Sequence, residues 1–106
     1  MTRGEIWWAD TPGPWGRRPV LLIARETAFE RLSAVNAAPV TTTIRIAPSI
    51  VRLNPQRDGV PRACVVNLDA LLTVDVELLD ALITTLAPAR MREVDRALHF
   101  ALGLRD

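Results

Sequence analysis

Ala34-Val35-Asn36-Ala37-Ala38-Pro39-Val40-Thr41-Thr42 is almost unbroken in apolar residues and ends on β-branched ones. That composition marks a central strand covered on both faces, and the rest of the fold is read outward from it. A second run of the same kind, Val20-Leu21-Leu22-Ile23-Ala24, follows Arg17-Arg18-Pro19. Pro19 has no N–H and marks the start or the edge of that strand. Each run carries a polar residue at one end, Arg18 and Thr41, so pairing within one sheet brings a cation to a hydroxyl. That combination suits a phosphate.

Ahead of these runs, Arg3 to Asp10 holds Ile6, Trp7 and Trp8 and reads as a first strand. Trp7 and Trp8 point to opposite faces of it, so at most one enters the core. Thr11-Pro12-Gly13-Pro14-Trp15-Gly16 is a loop by its Pro and Gly density, with a large aromatic set into it. Glu26 to Leu32, with Ala28, Phe29 and Leu32 at helical spacing, predicts a short helix.

Behind them, Ile50 to Leu53 is a brief strand and Asn54 to Gly59 has turn chemistry. Arg62 to Leu68 is a further buried strand around Ala63-Cys64-Val65-Val66. Val74 to Leu86 reads two ways: Asp75 caps a helical turn through Leu79, and Ala81 to Leu86 either continues it or forms a last strand. Pro88 then opens a terminal helix whose Met91, Val94, Leu98, Ala101 and Leu102 share a face, and Gly103 ends it. Five or so strands with short helices and a C-terminal helix predict a mainly β fold with added α, a small, partly open barrel.

With 106 residues, 49% of them hydrophobic, the chain has room for one core and reads as a single domain over 1–106. One cysteine, Cys64, cannot form an internal disulfide, and with one histidine, His99, the chain lacks a zinc ligand set. No metal or other cofactor is expected. Without a long apolar run or a basic-then-apolar leader, the expected setting is cytoplasmic and away from membranes. Residues 1 to 62 carry nine arginines against five acids, whereas four arginines meet seven acids from residue 63 onward. This asymmetry fits a basic face on the first half that binds an anion.

Four segments in order, Arg3-Gly4-Glu5-Ile6-Trp7-Trp8-Ala9-Asp10, Arg18-Pro19-Val20-Leu21-Leu22-Ile23, Ala38-Pro39-Val40-Thr41-Thr42-Thr43-Ile44 and Met91 to Leu104, resemble the MazF/PemK/Kid family of toxin endoribonucleases. The resemblance spans essentially the whole chain. It implies an SH3-like barrel of the plasmid-maintenance toxin type that forms a homodimer and cleaves single-stranded RNA without metal. The products it implies are 2',3'-cyclic phosphate and 5'-hydroxyl ends, and it implies silencing by a cognate antitoxin. It sets the family's catalytic arginine on Arg18 and its catalytic hydroxyl on Thr41.

The chain also departs from that family. The loop between its first two strands is short and holds no carboxylate or imidazole. Asn67 stands where some members carry an arginine, and Ala70-Leu71-Leu72-Thr73 replaces a Gln-x-Arg-Thr continuation. RNA cleavage needs a proton acceptor for the 2'-hydroxyl, charge neutralisation at the phosphoryl oxygens and a donor for the leaving oxygen. A guanidinium has donors and no acceptor, so the expected role of Arg18 is to stabilise the phosphorane, and Asp69 is the candidate for proton transfer. Trp15, Arg17, Thr42, Thr43, Arg45 and Asn67 are the expected RNA contacts, through stacking and phosphate pairing. An arginine-lined groove with exposed tryptophan also suits an acidic antitoxin segment that folds on binding. The competing readings are an SH3-like module that binds RNA or peptide without turnover and a gyrase poison of the same fold, resembling CcdB. The latter group ends in Trp-Gly-Ile, whereas this chain ends Leu104-Arg105-Asp106.

Overall fold

The computed structural model describes residues 1–11, 14 and 16–104. Seven strands run through them: β1 (Glu5–Asp10), β2 (Arg17–Leu22), β3 (Ala34–Thr41), β4 (Ile50–Leu53), β5 (Cys64–Asn67), β6 (Leu72–Asp75) and β7 (Leu79–Thr85). They pair antiparallel in the order β4-β5-β3-β2-β1-β7, with β6 beside β3. The helices are α1 (Ala28–Arg31), α2 (Pro55–Asp58) and α3 (Pro88–Ala101). The sheet curls into a barrel that stays partly open.

β3 is the central strand, as its composition requires. One edge pairs with β2 through Ala37 to Pro39; the other pairs first with β6 through Ala34 to Ala37, then with β5 through Val40 and Thr41. Two prolines sit in these ladders, and their placement explains the opening beside them. The Ile23 N–H donates to Asn36 O, so even-numbered residues of β3 and odd-numbered residues of β2 turn their amide groups toward each other. Pro39 therefore turns its proton-less nitrogen outward, in the gap between the end of β6 and the start of β5, where no ladder bond is lost. Pro19 turns its nitrogen toward β3 and cannot donate there. The β2/β3 ladder ends at the next residue pair, Val20 with Pro39.

Apolar side chains fill both faces of the sheet. Ile6, Leu21, Ala38, Val40 and Val66 pack inside the barrel beneath Val94 and Ala97 of α3, which lies against β4. Val20, Leu22, Val35, Ala37 and Val74 form a second layer with Ala28 of α1, and Trp7 is half-buried against it. Trp8 is also half-buried, on the other face.

Several expectations change in detail. β2 begins at Arg17, so Pro19 lies inside the strand rather than at its start. The helix expected over Glu26 to Leu32 contracts to α1. The stretch Asn54 to Gly59 contains α2, because the Asn54 side chain accepts the Arg57 N–H at 2.7 Å and Pro55 takes the first turn. β6 is an added strand, and Val76–Leu78 forms a 3-10 turn before β7, so the strand alternative holds for the end of that stretch. The face of α3 turned to the core carries Arg90, Val94 and Ala97 as its buried residues, while Leu102 is exposed past the helix end.

Candidate active site

The β2/β3 register, continued two steps beyond Val20 and Pro39, sets Arg18 across from Thr41. The ladder stops short of them at Pro19, and both side chains border open space. Two recesses meet at this pair. The first, about 480 Å³, opens at the mouth of the barrel interior between Trp8, Thr43, Arg62 and Cys64. The second, about 420 Å³, lies on the opposite face of the β2–β3 edge over Val20, Pro39 and Leu72, with Asn67 and Thr11 at its rim. Arg18 and Thr41 line both.

Local geometry prepares the hydroxyl. Thr41 Oγ1 accepts the backbone N–H of Thr43 at 3.2 Å, which occupies one lone pair and leaves the hydroxyl proton for an outside acceptor. Arg18 is exposed, and its planar guanidinium offers paired donors to phosphoryl oxygens. Thr42 and Thr43 line the first recess. Asn67 lines the second; its Oδ1 accepts the Asp69 N–H at 3.0 Å, so the amide NH2 is the side left to donate.

Other expected site residues stand elsewhere. Arg17 is turned away from Arg18: its Nε bonds Asp80 Oδ2 at 2.7 Å and its guanidinium lies 4.6 Å over the Trp8 ring. Arg45 is exposed in the segment after β3 and lines neither recess. Trp15 lies outside the described residues. Asp69 is not among the lining side chains; its carboxylate accepts the hydroxyl of buried Ser49 at 2.5 Å. Among the described residues that line the recesses there is no carboxylate and no imidazole. His99 lies exposed on α3, away from them. Among the described residues no cluster of His, Cys, Asp or Glu is arranged to hold a metal ion. Cys64 is buried at the recess wall, and that burial, followed by the charge of Asp58, pushes its thiol pKa up.

Trp8 and Arg62 are among the lining residues absent from the expected site set. Trp8 was legible in principle, since antiparallel pairing with Pro19 puts it on the face of the barrel mouth. Arg62 precedes β5 rather than joining it, and its approach to Thr41 follows from the Thr41–Val65 pairing.

Residues 2–102 match the family model described as PemK-like, MazF-like toxin of type II toxin-antitoxin system. The chain belongs to this family. It is 43% identical over 100 residues to the "Probable endoribonuclease MazF5" of Mycobacterium tuberculosis, covering 94% of this chain and 91% of that protein. It is 39% identical to the "Probable endoribonuclease MazF2" of the same species, over 97% of this chain and 99% of that protein. A mycobacterial endoribonuclease solved in complex with its cognate antitoxin superposes with a TM-score of 0.88 at 28% identity, over 100% of this chain and 98% of that one. The MazF-like chain and these relatives thus share a fold over nearly their whole lengths. No described helix of it is long and apolar enough to cross a membrane.

Proposed function

We propose that the groove centred on Arg18 and Thr41 is the active site of a MazF-type endoribonuclease toxin that cuts single-stranded RNA at short motifs without a metal ion. The observation that carries this is the meeting of a guanidinium and a donor-ready hydroxyl where two recesses join, in a chain whose relatives are named endoribonucleases. RNA bound there has its scissile phosphate at the shared border and its neighbouring nucleotides in the recesses on either side.

In the step proposed, the 2'-oxygen attacks phosphorus and the bond to the 5'-oxygen breaks, leaving a 2',3'-cyclic phosphate and a 5'-hydroxyl. Negative charge spreads over the phosphoryl oxygens as the phosphorane forms. Arg18 donates two hydrogen bonds to them and Thr41 a third, and these donors count most when they are preorganised. The proton of the 2'-hydroxyl goes to water, since the described residues of the recess walls offer no carboxylate or imidazole, and water returns one to the leaving oxygen.

Growth inhibition through loss of translatable RNA follows from that activity, in the cytoplasm where message is made. The partner proposed is a cognate antitoxin whose acidic segment folds over the arginine-lined groove, supported by the antitoxin complex of the mycobacterial relative. The toxin is proposed to act as a homodimer, on the strength of the family membership. The test is incubation of the purified protein with a long RNA in EDTA, followed by mapping of the cut ends. Cleavage that Arg18→Ala slows by ~10²-fold or more supports the proposal; Arg18→Ala cleaving at the wild-type rate, or no cleavage from the wild type, defeats it.

A further inference from the structure

The first recess extends well beyond Arg18 and Thr41, and the cleavage step makes no use of its far wall. Trp8 stands there between Pro19 and Ile83, half-buried. Arg17 lies 4.6 Å over its ring and is held in turn by Asp80 at 2.7 Å. Arg17 is not among the recess-lining side chains, so the indole is braced from outside and turns its remaining surface to the recess. An immobilised aromatic plane in an apolar wall beside a phosphate clamp matches a nucleobase better than it matches ribose or phosphate. Arg62 sits exposed on the same wall and makes no ion pair with a described residue, which leaves its charge for a phosphate.

The second recess has different chemistry. Its floor of Val20, Pro39 and Leu72 is apolar, and its rim holds the Asn67 amide, whose oxygen is already engaged by the Asp69 N–H at 3.0 Å. The NH2 group remains, a donor suited to a base carbonyl or ring nitrogen. The two recesses lie on opposite faces of the β2–β3 edge, so one base cannot fill both.

Resting on the reading of Arg18 and Thr41 as the cleavage site, we propose that the recesses hold the two bases flanking the cut phosphate. Trp8 stacks the base in the first recess, Arg62 contacts the next phosphate along, and the Asn67 amide reads the base in the second. Sequence preference is then modular: the positions on the two sides of the cut are set by different residues.

The experiment is cleavage of a randomised RNA pool with sequencing of the cut ends, alongside binding of a 2'-deoxy oligonucleotide of the mapped site across a salt series. Trp8→Leu raises KM on the order of 10-fold, with a smaller effect on kcat, and flattens base preference on one side of the cut; Trp8→Phe restores both. Asn67→Leu flattens preference on the other side only. Arg62→Gln weakens the 2'-deoxy oligonucleotide and reduces the slope of log affinity against log salt by about one. A folded Trp8→Leu protein with wild-type KM and cut-site profile overturns the stacking role, as does loss of preference on the same side from both Trp8→Leu and Asn67→Leu. If Trp8→Leu fails to fold, an unchanged salt slope for Arg62→Gln overturns the proposal by itself. Wild type that binds the oligonucleotide but cuts no RNA defeats the cleavage reading instead, and the two failures are thereby told apart.

Discussion

Arg18 stands across from Thr41 in the β2/β3 register, two steps past the Val20–Pro39 pair where the ladder stops. Pro19 lies between them and the ladder, its nitrogen aimed at β3 with no proton to give. One residue thus ends the strand pairing at the border of the groove. The pair shares the phosphoryl charge, so its members differ in what they lose on substitution. Arg18→Ala is expected to lower kcat by ~10²- to 10³-fold, the usual effect of removing a preorganised oxyanion donor. Arg18→Lys recovers little, because an ammonium cannot form the paired contacts of a guanidinium. Thr41→Val keeps the shape and loses the donor. It is expected to slow single-turnover cleavage by ~10-fold or more; wild-type rates in that measurement would remove Thr41 from the site.

Since the described recess walls contain no carboxylate or imidazole, cleavage is expected to rise steadily with pH as hydroxide becomes more abundant. The slope should approach tenfold per pH unit between about pH 5 and 8, with no bell-shaped maximum of the kind a general acid and base produce. Asp69→Asn is expected to follow the same line as wild type, its carboxylate being engaged by Ser49 rather than facing the groove. A plateau near neutral pH that Asp69→Asn abolishes would return the proton-transfer role to Asp69.

Stability has its own hinge, far from the phosphate clamp. Arg90, 6% exposed, grips Asp58 with two bonds of 2.9 Å each, and its third nitrogen reaches Glu93 at 2.9 Å. Burial acts to raise the Asp58 carboxyl pKa, but the Arg90 hydrogen bonds and the Asn54 N–H outweigh it and hold it below the ordinary carboxylate range. Asp58→Ala strands a buried guanidinium and is expected to cost about 3 kcal/mol in chemical denaturation. Because the folded-state pKa is depressed, this stabilisation is fully present above the unfolded value of about 3.9 and is lost as pH falls through the folded one. Wild type and Asp58→Ala should therefore differ most near neutrality and converge in acid below about pH 4.

Much of this was legible in the chain, and what was not has physical reasons. Arg18 and Thr41 could be found because each ends a run of strand formers, and two strong strands in sequence tend to pair. β6 was missed because Leu72-Thr73-Val74-Asp75 is short and leads straight into the 3-10 turn, with no periodicity to separate them. α2 was read as a turn because Asn54, Pro55 and Gly59 are turn residues as much as cap residues, and the two differ by a single round of hydrogen bonding. The Asp58–Arg90 pair spans 32 positions, and nothing local to either residue announces it. Arg17 and Arg18 are adjacent and chemically identical, yet strand alternation sends one to Trp8 and Asp80 and the other to the groove.

Gly59 joins the stability hinge to the groove. It closes α2 with φ at +75°, and a Cβ there would stand 2.7 Å from Thr84 Oγ1. That hydroxyl donates to Asp58 O at 2.9 Å, so the neighbour cannot yield without breaking a bond that ties β7 to α2. Gly59→Ala is expected to lose about 1 to 2 kcal/mol from the left-handed backbone alone, and more from displacing Thr84. The next residues, Val60, Pro61 and Arg62, line the first recess, so a displaced turn is expected to displace that wall. Gly59→Ala should therefore melt earlier and also raise KM for RNA, whereas Asp58→Asn, which keeps the shape of the turn, should melt earlier with KM nearly unchanged. Equal KM values for the two variants would show that the wall is positioned independently of the turn.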